Sequence, residues 1–267
     1  MSREREIKEF ETRFSDEIFE VAVVTGAVGV GAGKGGGNVM WHASIDLIGW
    51  KNLSRNESVI QEKLRLSWLV DDEGLKQSRE ILDRNRITKL KVRKGKDSMM
   101  LIKVLEIYYE DQELQELLEE SLKPVFYHDE TLGEFSYERE LDWFKKDVFW
   151  GGQNGSLYIH KDIDENMSSA LKTARVLIKD EETWSKKVKE YAADEMLDLA
   201  NEWLADDDEA EIDIITKEMF VKRMELSSIS VYPDGSFEMF FDDGDMFWGH
   251  SIIVAGNING EMESAHI

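Results

Sequence analysis

The stretch whose reading decides the fold is MELSSISVYPDGSFEMFFDDGDMFWGHSIIVAGNINGEMESAHI, residues 224–267. Short runs rich in β-branched and aromatic residues, MELSSISVY, SFEMFF, MFWGHSIIVA and EMESAHI, alternate with turn chemistry in PDG, DDGD and NING, so they read as strands joined by tight turns. Four such strands in succession predict an antiparallel meander. Upstream, Trp184, Val188, Tyr191, Ala192, Leu199 and Trp203 recur at three- and four-residue intervals and predict a long helix over 181–204, with Asp180 as its N-cap. Residues 168–179 read as a helix beside it, and ITKEMFVKRM as a third with Thr216 as cap. Before these helices FSYERELDWF, DVFWGG and SLYIHKD read as strands, with QNG as a turn. Strands, then helices, then strands is the pattern of an α+β domain.

Further outward, Pro124 in LKPVFYHDETLGE breaks a helix and marks a linker. Two domains are expected, a β-rich one over 1–124 and an acidic α+β one over 133–267. The first is read as mostly β with a terminal helix. Its strands are FEVAVVT (19–25), VMWHASIDLIGW (39–50), KLRLSWLV (63–70), ITKLKVRKG (87–95) and SMMLIKVLEIYY (98–109). Leu64, Leu66, Trp68 and Val70 share one strand face, the signature of a half-buried strand. Asp71–Asn85 reads as a short helix and Asp111–Ser121 as an amphipathic one. Lys89, Lys91 and Arg93 line one strand face, which reads as the guarding of a sheet edge or the pairing of acidic neighbours.

Between the first two strands lies VGVGAGKGGGN, residues 28–38, which looks like a phosphate loop. A P-loop needs a glycine five residues before Gly33-Lys34 and a hydroxyl after the lysine. Val28 and Gly35 stand there instead, and the glycine spacing does not fit a dinucleotide fingerprint either. A strand follows the loop, so no helix N-terminus is available to hold an anion. The expected structure is a long, mobile hairpin loop; the candidate for anion binding within it is Gly33, Lys34 and Gly35.

The chain has 267 residues, 42% of them hydrophobic, with eight Trp and twelve Phe, ample for a core. It has no cysteine, which excludes disulfides and thiolate chemistry and fits a reducing compartment. No apolar run approaches a membrane span, and MSREREIKEF carries charges where a signal peptide needs apolar residues, so a cytoplasmic protein is expected. Net charge is −23, divided as −5 over residues 1–132 and −18 over 133–267. Such a field repels phosphate backbones and anionic membranes and attracts cations. The acidity reads either as serving solubility alone or as suited to a basic protein partner; no nucleic acid and no membrane is expected, and the oligomeric state stays open.

The densest polar constellation is FDDGDMFWGHS, residues 241–251, with Asp242, Asp243, Asp245 and His250. A histidine near carboxylates suits a general base or a metal site. Against that, the spacing does not fit a calcium loop, and His250 shares strand parity with Trp248, Ile252 and Val254, which predicts a buried, hydrogen-bonded imidazole. His42, His128, His160 and His266 form no zinc spacing. Asp162 and Asp164 after His160 matter only if folding brings them to the acidic turn. Trp143, Phe144, Phe149, Trp150 and Trp248 read as core or interface. No nucleophile elbow is present, and no motif calls for a metal or cofactor.

At SFEMFFDDGDMFWGHSIIVAGNING the chain resembles an uncharacterised bacterial family of the DUF2262 type. The likeness extends through LGEFSYERELDWF and YAADEMLDLANEW, and the segment from EVAVVTGAVGVG to KPVFYHDE resembles that family's N-terminal companion domain. The resemblance implies bacterial origin and two domains, and it carries no activity. Some acidic α+β families of this look are immunity or accessory proteins in toxin systems, an analogy at the level of fold. Two readings follow. The first is a non-enzymatic interaction module whose acidic C-terminal domain docks a partner, with Asp206–Asp208 and Glu209 exposed and His250 buried. The alternative is an enzyme or ligand-binding protein with its site in the cleft between the domains, at the acidic turn with His250 or at the Gly-rich loop.

Overall fold

Alternation in the first half of the chain produces strands that curl on themselves. In the computed structural model, which describes residues 2–55, 57–162, 166–208, 210 and 212–267, two compact units form, Met1–Lys123 and Pro124–Ile267. The first contains α1 (Arg3–Glu11), β1 (Phe14–Thr25), β2 (Gly31–Gly33), β3 (Trp41–Asn52), β4 (Leu64–Val70), α2 (Asp72–Ile81), β5 (Ile87–Gly95), β6 (Ser98–Glu106) and α3 (Gln112–Leu122). β1 pairs antiparallel with both β3 and β5, β3 with β4, and β5 with β6, while β4 and β6 run parallel. Five strands therefore close into a barrel in the order β1, β3, β4, β6, β5, with α2 between the third and fourth barrel strands. This is the Greek-key connectivity of an OB-type barrel.

The inward positions Leu64, Leu66 and Trp68 meet Ala43, Ile45 and Leu47 in the barrel interior. Asp71 starts α2 by accepting from the Gly74 N–H at 3.0 Å. α3 lies outside the barrel, burying Leu114 and Leu118 against Ala22, Val24 and Ile87. Gly49 permits that approach, since a Cβ there would stand 2.3 Å from a Leu117 methyl. The basic line on β5 pairs acidic neighbours, Lys89 with Glu20 at 2.9 Å and Arg93 with Asp16 at 3.1 Å. It guards no edge, because β5 has a partner on each side. Short β2, paired to β3, interrupts what was expected to be one open hairpin loop.

The second unit contains β7 (Phe126–Asp129), β8 (Gly133–Glu138), β9 (Trp143–Trp150), β10 (Gln153–His160), α4 (Ser168–Lys179), α5 (Glu181–Ala205), α6 (Lys217–Arg223), β11 (Glu225–Val231), β12 (Ser236–Asp242), β13 (Ser251–Asn257) and β14 (Met262–His266). The eight strands lie side by side in chain order. All neighbours are antiparallel except β10 and β11, which are parallel because the three helices intervene and carry the chain back across the sheet. The meander predicted from residues 224–267 is β11 to β14. Its inward residues, among them Ile229, Met239, Phe241 and Val254, bury against Val188, Ala192, Met196 and Phe220 of the helices. Thr216 caps α6 by accepting from Met219 N–H at 3.2 Å; Asp180 stands at the start of α5 but makes no capping bond.

Two expectations are corrected. The presumed linker after Pro124 holds β7, an edge strand paired to β8. The turn assigned to QNG lies earlier, at Gly151 and Gly152, both at positive φ, and Gln153 already pairs with Trp150 in the β9–β10 ladder.

Candidate interaction site

Between β12 and β13 the chain makes a turn over residues 243–250, and its organiser is Asp243. The carboxylate is buried at 3% exposure. One oxygen accepts from the Asp245 N–H at 3.3 Å, the other from the Phe247 N–H at 2.5 Å and the Gly249 N–H at 3.2 Å. Three charge-assisted bonds to one buried group fix the path of the backbone. Met246 and Phe247 are thereby driven into the core, where Phe247 meets Phe220 and Trp203 edge-on. Gly244, at φ +56°, packs against the end of α6, for a Cβ there would lie 2.8 Å from the Arg223 carbonyl oxygen.

This path places Asp245 at φ +62° and Trp248 at φ +54°. A bulky non-glycine residue in the left-handed region is an outlier that only its surroundings can sustain. Trp248 nevertheless stays 60% exposed. Its ring lies 4.7 Å from that of Trp203 on α5. Gly249 follows at φ +82°, so strand geometry begins only at Ser251 and the alternation of β13 does not extend back to His250. The expectation of a buried His250 is therefore corrected: the residue is exposed, edge-on to Trp203 at 5.6 Å. Asp242 and Asp245 are exposed as well, and Asp243 is inside.

Beside this aromatic display runs a ridge of carboxylates. Asp194, Asp198, Glu202 and Asp206 are spaced four residues apart on and just past α5, and all are exposed. Asp206, Asp207 and Asp208 are exposed as predicted; Glu209 lies outside the described residues. Like charges four apart repel, and the last turn of α5 carries no basic residue to meet the negative end of the helix. Lys217 pairs with Asp194 at the ridge's far end. With Asp194 offset by Lys217, the Asp198–Glu202 and Glu202–Asp206 pairs and the dipole disfavour the helix by about 1 kcal/mol.

The other candidate residues lie apart from this turn. His160 ends β10 and Asp162 follows it, near Val231, whereas Asp242 pairs with Glu225 at the opposite end of β11. The fold does not bring them together, and Asp164 lies outside the described residues. At the His160 end, the imidazole stacks on Tyr232 at 4.4 Å, and the Tyr232 hydroxyl donates to Glu238 at 2.7 Å. Burial pushes the His160 imidazole below its usual pKa; burial and then Glu238 push the Tyr232 phenol up. An open depression of about 500 Å³ lies alongside, lined by Lys161, Tyr232, Asp234, Glu238 and Glu263. Tyr232, Asp234, Glu238 and Glu263 come from the meander, and the parallel pairing of β10 with β11 brings Lys161 beside them.

In the Gly-rich loop, Gly33 pairs with His42, Lys34 lies over the Trp41 ring at 5.6 Å, and the Gly35 carbonyl accepts from the Asn38 N–H at 3.1 Å. Among the described residues no three His, Asp or Glu side chains gather as a metal site would require, and no helix is long and apolar enough to cross a membrane.

Comparison with protein families matches residues 6–121 to a domain of unknown function, DUF7021, and residues 129–267 to the family described as "Uncharacterized protein conserved in bacteria (DUF2262)". Comparison with curated proteins and with solved structures found no match. Since the second match spans more than half of the chain and includes the Asp243 turn, the protein belongs to the DUF2262 family and carries DUF7021 as its N-terminal companion.

Proposed function

We propose that this chain is a non-enzymatic interaction module of the bacterial cytoplasm whose C-terminal domain docks a basic protein segment. The observation that carries the reading is Trp248, an exposed indole held in a left-handed backbone conformation by the buried Asp243 carboxylate and packed on Trp203 of α5, the helix that carries exposed Glu202 and Asp206. An exposed Trp is the residue type that most often anchors an interface, and its ring face attracts a guanidinium or ammonium group. The carboxylates alongside add charge complementarity and raise the association rate. The absence of cysteine fits a reducing compartment. An accessory or immunity-like role fits this design, since such proteins act by occupying a partner.

The test is capture from a lysate of the native bacterium at low and at high salt, with wild type compared with Trp248→Asn and with Asp198→Lys/Glu202→Lys. A partner retained by wild type, released by salt and lost in both variants supports the reading. A partner held equally by all three chains refutes it. A second reading, ligand capture, rests on the depression beside Tyr232 and Glu238. It predicts a small cationic molecule in native mass spectra that Glu238→Gln removes and Trp248→Asn leaves in place.

A further inference from the structure

The backbone amides that follow the Gly-rich loop already hold an anion, and that anion belongs to the chain. Glu6 on α1 is 3% exposed; one carboxylate oxygen accepts from the Val39 N–H at 2.9 Å and the Met40 N–H at 3.3 Å, and the other lies 3.3 Å from His42 Nε2. Burial alone would raise the Glu6 pKa, but the bonds from Val39, His42 and Met40 outweigh it and hold the carboxyl below its usual range. One helical turn later Phe10 packs with Phe14, Met100 and Leu69 and stands edge-on to His42 at 5.8 Å.

Leu69 is on β4, Met100 on β6, and His42 sits opposite Leu69 on β3. α1 therefore lies on the outer face of the barrel's second and third strands. It runs from the 26–40 loop to the β5–β6 turn, where an added Cβ at Gly95 would meet the Arg13 carbonyl at 2.9 Å. In barrels of this connectivity that face, between those two loops, is commonly where ligands sit. The hold on α1 is narrow. Nine residues are too few for a helix to persist alone, only Glu6 and Phe10 are buried, the Arg3–Asp71 pair is exposed on both sides, and Arg93 reaches Glu11 only at long range, 3.5 Å to its carbonyl and 3.9 Å to its carboxylate.

We propose that α1 is an internal occupant of a helix-binding groove, and that the groove accepts from a partner protein an amphipathic helix bearing a carboxylate one turn before an aromatic ring, as Glu6 and Phe10 do. The occupant's own chemistry points to a peptide. The apolar floor of Leu69, Met100 and Phe14 and the net negative charge of residues 1–132 argue against a nucleic acid.

The test uses the full-length chain with Glu6→Ala/Phe10→Ala, which frees the groove, and a fluorescent peptide of residues 2–13 read by anisotropy. Wild type, in which the tethered helix competes at high effective concentration, should bind the peptide at least tenfold more weakly than the variant. Peptides carrying E6A or F10A should lose binding. A variant that melts cooperatively yet ignores the peptide, or that prefers a single-stranded oligonucleotide in a parallel titration, overturns the proposal. Should the variant fail to fold, hydrogen exchange on wild type decides. The amides of α1, Val39 and Met40 must then open at least a hundredfold more often than those of Val21 and Val23; exchange of all of them only through global unfolding refutes the proposal.

Discussion

Asp243→Ala is the sharpest perturbation of the turn that presents Trp248. It removes three acceptor contacts at once, to the N–H groups of Asp245, Phe247 and Gly249. Phe247 is fully buried, so its N–H cannot regain water without opening the turn, and that donor alone accounts for about 2–3 kcal/mol. The other two N–H groups lie nearer solvent and rehydrate, at about 0.5 kcal/mol each. The expected loss is about 3–4 kcal/mol, or about 10 °C in Tm for a domain of this size. Asp243→Asn keeps one acceptor oxygen and should lose about half as much. Urea unfolding followed by tryptophan fluorescence measures both, with Asp242→Ala as control. Asp242 is exposed, and its removal should stay within about 0.5 kcal/mol. A loss below about 1 kcal/mol for Asp243→Ala, or one no larger than that of Asp242→Ala, would show that the carboxylate does not organise the turn.

Three further outcomes are expected. Trp248→Asn relieves left-handed strain of about 1 kcal/mol while losing the contact with Trp203, so unfolding should leave stability within about 1 kcal/mol even though partner capture is abolished; a large destabilisation would mark Trp248 as structural. Asp198→Lys/Glu202→Lys breaks the like-charge ridge and should stabilise the chain by about 1 kcal/mol at low salt, an increment that 0.5 M NaCl erases; an unchanged or lowered Tm at low salt contradicts the ridge. The folded state holds His160 below its usual pKa, so the unfolded chain binds the proton first. Stability is complete above about pH 6.5 and falls as pH drops through the window below it. Comparing Tm at pH 7.5 and 5.5, His160→Phe should flatten part of that fall, and a variant with the wild-type slope refutes the assignment.

Much of the second unit was legible because its strands obey simple alternation. Ile229 and Val231, Phe237, Met239 and Phe241, and Ile252 and Val254 fall where the period predicts and are buried, and a bulge between Leu226 and Ser228 is what lets Leu226 face inward as well. The reading failed where the backbone leaves the regular regions. Parity counted back from Val254 assigns His250 to the buried face, but β13 begins only at Ser251 and His250 directly follows Trp248 and Gly249, two residues at positive φ, so the histidine is exposed. The Trp-Gly pair after an Asp-Gly turn was the available warning. β7 escaped because three of its four residues are exposed and Pro124 precedes it, so neither alternation nor apolarity marked a strand. α1 escaped because it buries only Glu6 and Phe10, too little for an apolar stripe. Closure of the barrel rests on pairings such as β4 with β6, which join residues distant in sequence and leave no local trace.

Trp248 is proposed to be displayed for a partner. Placing a photoactivatable benzoylphenylalanine at position 248 in the native bacterium, with the same group at exposed Phe149 as control, tests it most directly. The prediction is one dominant cross-linked protein, joined through a lysine- or arginine-rich segment, at position 248 and not at 149. No cross-link at 248, or the same scatter of products at both positions, would contradict it.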